Sequence, residues 1–103
     1  MTVEEEFERR LLGNLDEAEK KVAGYSFLGL RRFIAEKGAV ATAKYFVDLR
    51  NRSTAFDGFD VLADHGLLRF SVERAVLDFA DRGLFNPAEI SSAETRLMIA
   101  RNR

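Results

Sequence analysis

Residues 58–97 read GFDVLADHGLLRFSVERAVLDFADRGLFNPAEISSAETRL. Three helix starts can be placed in this stretch from chemistry alone, and large apolar residues are threaded between them. With Phe56 just ahead, the run Phe59, Val61, Leu62, Leu67, Leu68, Phe70, Val72, Val76, Leu77, Phe79, Leu84, Phe85, Ile90 and Leu97 is too dense to be surface decoration. It reads as one hydrophobic core. The clearest punctuation is Asn86-Pro87-Ala88-Glu89: a cap residue, proline at the first helical position and glutamate three residues after the cap. A last helix begins there, with Ile90, Ala93, Leu97 and Ala100 inward. Ser71 caps the helix before it, whose inward positions are Val72, Ala75, Val76 and Phe79, and Gly83 closes it. Glu73 falls in its first turn, where a carboxylate suits the positive helix end. Upstream, Phe56 to Asp64 is a short helix interrupted by Gly58 and ended by Gly66. Leu67 to Phe70 follows as a buried, extended or turn-like link.

Toward the N-terminus the same grammar continues. Thr2 and Glu5 have the spacing of a capping box, and Glu4, Glu5 and Glu6 complement the helix dipole. Behind them Val3, Phe7, Leu11, Leu15, Ala18 and Val22 recur every three or four residues, one stripe of an amphipathic helix that runs to about Ala23. Gly13-Asn14 is a place where it could kink. Gly24 stops it. Ser26 is the expected cap of a second helix with Phe27, Leu30, Phe33 and Ile34 inward, ended by Gly38. Residues 39–48 carry alanines that favour a third helix over a strand, and residues 49–55 dissolve into a polar connection. The expected architecture is therefore all-α, a compact bundle of about six short helices, the first the longest, in a single domain spanning residues 1–103.

Composition bounds the function classes. The chain has 103 residues, 47% hydrophobic and 32% charged, the balance of an ordinary globular domain. A net charge of -1, from 16 basic against 17 acidic residues, gives no whole-molecule attraction to nucleic acid or anionic lipid. Cysteine is absent, which removes disulfides, thiol catalysis and thiolate metal sites. The acidic N-terminus is unlike a secretory signal and no apolar run approaches bilayer length, so a cytoplasmic protein without membrane contact is expected.

Residues that could carry chemistry are few. His65, the single histidine, sits at a helix end where the dipole explains it structurally. Asp57, Asp60 and Asp64 are spaced three and four apart and could line one helix face as cation ligands, although solvated residues flanking a core helix are the plainer reading. No phosphate loop or catalytic constellation accompanies them, so no enzyme and no cofactor is expected. Twelve arginines against four lysines favour planar pairing with phosphates or carboxylates. Arg31 and Arg32, with Arg50 and Arg52, are the candidate phosphate contacts; pairing with the chain's own acids is the alternative. Nine phenylalanines and the striped first helix point instead to a partner surface. Phe7, Leu11 and Leu15 could continue onto another protein or a second copy of the chain, or could fold back onto the other helices. Protein interaction, with another protein or as a homodimer, is the leading expectation, with nucleic-acid binding second.

Tyr25 with Phe33, Gly38 with Thr42-Ala43-Lys44, Gly58-Phe59 with Leu62, Gly66 to Glu73, and Leu84-Phe85 before Glu89-Ile90 together resemble a widespread set of small helical bacterial proteins. The likeness covers roughly residues 18–97 and lies in scattered apolar and glycine positions. Arg69 and Phe70 stand where those proteins often carry an aspartate. Similar segments occur beside or attached to restriction and other defence genes, so the resemblance implies an accessory or interaction role rather than a reaction.

Overall fold

The computed structural model describes residues 1–50 and 58–101, and these form six α-helices with no strand among them. In chain order they are α1 (Val3–Lys21), α2 (Leu28–Lys37), α3 (Ala39–Val47), α4 (Phe59–Asp64), α5 (Val72–Asp78) and α6 (Pro87–Arg101). The first is the longest, as the stripe requires, and it passes through Gly13 and Asn14 without a break. Residues 39–47 are helical, which disposes of the strand alternative.

Local chemistry explains most of the boundaries. Thr2 and Glu5 close a reciprocal capping box: the Thr2 hydroxyl accepts from the Glu5 N–H at 3.1 Å, and the Glu5 carboxylate accepts from the Thr2 N–H at 3.1 Å. Asn86 and Glu89 repeat the device at α6, at 2.8 and 2.9 Å. Ser71 caps α5 by accepting from the Arg74 N–H at 3.0 Å while donating to the Leu68 carbonyl at 2.7 Å. The link expected to be extended or turn-like is a single 3₁₀ turn, Leu68–Phe70, which places Ser71 for that role. Gly38 is at once the end of α2 and the start of α3. Its N–H donates to Ile34 and its carbonyl accepts from Thr42, a reversal that needs φ +89° and so excludes a side chain.

Around these starts one core assembles. Helix α3 lies at its centre, touching α1, α2, α5 and α6, and α5 packs most extensively on α6. Phe7 projects from α1 between Phe79 and Phe85, with ring centroids 5.3 and 5.2 Å away in edge-on geometry. Leu11, Leu15, Ala18 and Val22 continue that stripe inward, all buried. A smaller cluster of Phe59, Leu97 and Ala100 joins α4 to the far end of α6. Gly58 makes the start of α4 possible twice over. Its φ is +68°, and a Cβ there would stand 2.7 Å from Phe27 Cδ1.

One sequence expectation is corrected by the packing. Ser26 does not cap α2: it is exposed, the N-cap position is Phe27, and no side chain of the usual capping residue bonds there. Instead Glu19 reaches across from α1 and accepts the Phe27 N–H at 2.8 Å. Glu73 lies in the first turn of α5, as expected. It is wholly buried and holds the Arg96 guanidinium Nε at 2.6 Å.

Candidate interaction surface

The partner surface expected on α1 does not exist as a surface. Phe7, Leu11 and Leu15 have no more than 1% of their area exposed, because the stripe folds back onto α3 and α5. Whatever this molecule presents to a partner lies elsewhere.

Two of the four arginines named as phosphate contacts, Arg31 and Arg50, are drawn into ion pairs with the chain's own acids. Arg31 donates to Asp16 at 2.6 Å and to Glu19 at 2.8 Å, so two carboxylates surround one guanidinium. The Arg31 bonds hold the Glu19 carboxyl below its ordinary value, with the Phe27 N–H adding to the effect. Arg50 is bidentate to Asp48, at 2.6 Å for its shortest contact. That partner, with the Arg50 N–H, brings the Asp48 carboxyl down to about 2. Arg32 is exposed on α2. Arg52 lies outside the described residues, as does Asp57 of the aspartate trio. Asp60 is half-buried on α4 and Asp64 exposed at its end, and no group of three potential metal ligands occurs among the described residues. His65 caps the C-terminal end of α4, its Nδ1 2.9 Å from the Val61 carbonyl.

Three further arginines join one element to another. Arg10 reaches Asp78 at 3.1 Å and Arg82 reaches Glu6 at 2.9 Å, closing the α1–α5 seam, and both guanidiniums lie over the Phe79 ring. Lys44 pairs with Glu89 at 3.0 Å, so the glutamate that caps α6 also ties it to α3. Arg96 is the member sequence reasoning missed. It stands three residues after Ala93 and four before Ala100, on the inward stripe of α6, and its guanidinium lies over the Phe59 ring at 5.1 Å. Burial drives the Glu73 carboxyl above its ordinary value while Arg96 opposes that rise. Glu73 is fully enclosed and Arg96 nearly so, which makes the pair part of the packing between α5 and α6.

What remains exposed and apolar is concentrated. An open groove of about 450 Å³ runs between the α1 start and the α2–α3 elbow, but Glu5 and Lys44 on its walls are already engaged in the cap and the Glu89 pair. Met98 and Ile99 are exposed on the last turns of α6. The outer face of α2 and α3 carries more. Tyr45 is 47% exposed, yet its ring is fixed by Phe33 at 5.2 Å and Phe46 at 5.1 Å. Leu49 follows it, and Leu28, 60% exposed, stands on the outer side of α2. A half-exposed aromatic ring held by two others loses little freedom when covered, which is the profile of an interface anchor. Phe33 reads from the sequence as an inward residue of the second helix; how far it and Tyr45 are covered depends on how α2 and α3 lie side by side.

Comparison of the chain with known protein families, with curated proteins and with solved structures finds no match. Among the described residues, no helix is long and apolar enough to cross a membrane.

Proposed function

We propose that this chain is a non-catalytic protein-interaction domain that meets its partner through the α2–α3 face centred on Tyr45 and Phe33, working in the cytoplasm. The observation that carries the reading is the half-exposed Tyr45 ring, held by Phe33 and Phe46. Aromatic anchors of this kind supply most of the binding energy in protein interfaces. The charge pattern supports the same reading over nucleic-acid binding. Arg31 and Arg50 each sit against carboxylates, so neither offers an unmatched positive charge to a phosphate backbone. The resemblance to small bacterial helical proteins found beside defence genes fits an accessory role of this sort.

The test is affinity capture from the native cell with the tagged chain and with its Tyr45→Lys variant. A companion protein retained by the first and lost from the second is the expected result. Equal recovery by both would contradict the assignment of this face. Retention of a labelled DNA duplex that falls steeply with salt and is abolished by Arg50→Glu would favour the nucleic-acid reading instead.

A further inference from the structure

Helix α2 carries, along one outward line at intervals of four residues, Leu28, Arg32 and Glu36. All three are exposed. Residues four apart lie on one face of a helix, so this line is a single stripe, and Phe33 with its neighbour Tyr45 borders it. Neither the Arg32 nor the Glu36 side chain takes part in a hydrogen bond or ion pair among the described residues, even with the other one turn away. The face thus offers one unmatched cation and one unmatched anion beside an apolar centre. Its net charge is zero.

A surface with that pattern is complementary to itself. When two copies meet about a two-fold axis, α2 runs antiparallel to its counterpart, and a contact made by residue i with residue j is repeated by j with i. Arg32 of one copy then faces Glu36 of the other, and the reverse pair forms by symmetry. The Phe33 and Tyr45 rings come together across the middle, shielded from water by the two ion pairs. A polyanion would meet repulsion from Glu36, and a strongly charged protein of either sign would leave one of the two residues opposed.

Resting on the interaction reading above, we infer that the partner covering this face is a second copy of the same chain, joined by reciprocal Arg32–Glu36 pairs. The experiment is sedimentation velocity on the purified full chain from micromolar to near-millimolar concentration. The wild-type chain is expected to form a dimer. Arg32→Glu, which sets two glutamates against two, and Glu36→Arg, which sets two arginines against two, should each weaken association tenfold or more. An equimolar mixture of these two variants restores both pairs, so it should associate within about threefold of the wild type. Because both residues are exposed, folding of each variant is checked by its unchanged helical circular dichroism. A wild-type chain monomeric at every concentration, a dimer indifferent to either reversal, or a mixture that stays monomeric would each overturn the inference. A monomer whose Tyr45-dependent companion persists in the capture experiment would defeat self-association alone and leave the interaction reading standing.

Discussion

The carboxylate of Glu19 holds three groups at once: the first N–H of the α2 entry and two nitrogens of Arg31. Removing it orphans a backbone donor and releases a guanidinium that then keeps only Asp16. Glu19→Ala should therefore cost about 1–2 kcal/mol, the range of a lost cap plus a charge-assisted bond. Ser26→Ala should change stability by less than about 0.5 kcal/mol, since nothing rests on that hydroxyl. Urea denaturation midpoints of the two variants at neutral pH decide the matter; a larger loss at Ser26 would contradict the geometry. The residue scale is also where sequence reading stops short. A capping serine one position from a helix start is a local signal and carries an expectation by itself. Glu19 is eight residues away on another helix, and it becomes a cap only when α1 and α2 are already side by side. Thr2, Ser71 and Asn86 were legible because their partners lie three residues on in the same chain segment.

Between elements, the most deeply buried ion pair among the described residues is the one joining α5 to α6. Glu73 and Arg96 meet at 2.6 Å inside the seam, and Glu73 is completely enclosed. Enclosure favours the neutral carboxyl, so its folded-state value is raised above the ordinary 4.5, with Arg96 only partly offsetting the rise. The folded chain then keeps a proton that the unfolded chain releases. The stability this gives is fully present below about pH 4.5 and is lost as pH climbs through the raised value. Glu73→Gln has no such dependence. The stability of the wild type relative to that variant should consequently be greatest near pH 4 and decline toward pH 8, measured by urea melts of both; a difference that grows with pH would contradict it. The helix boundaries at this scale follow from glycine, serine and proline positions, which act locally. The inward place of Arg96 was open to view in its spacing from Ala93 and Ala100, but a rule that assigns charge to the solvent side conceals it. Glu73 was hidden the same way, because the first-turn preference explains its presence without saying which way it faces.

For the molecule as a whole, the stripe on α1 was legible as apolar and amphipathic, while its choice between folding inward and meeting a partner was not. Periodicity defines a face and leaves its neighbour undefined. Packing of α1 against α3 and α5 consumes Phe7, Leu11 and Leu15, and ion pairs engage Arg10, Arg31, Arg50 and Arg82. Exposed apolar surface remains on the outer side of α2 and α3, where Tyr45 stands half-covered against Phe33 and Phe46. That residual face is the centre of the functional account. It is tested most directly by placing the photoreactive residue p-benzoylphenylalanine at position 45, and separately at the exposed position Asp81, and irradiating intact cells. The account predicts a discrete protein adduct from position 45 and none from position 81. Adducts of equal yield from both positions, or none from position 45, would contradict it.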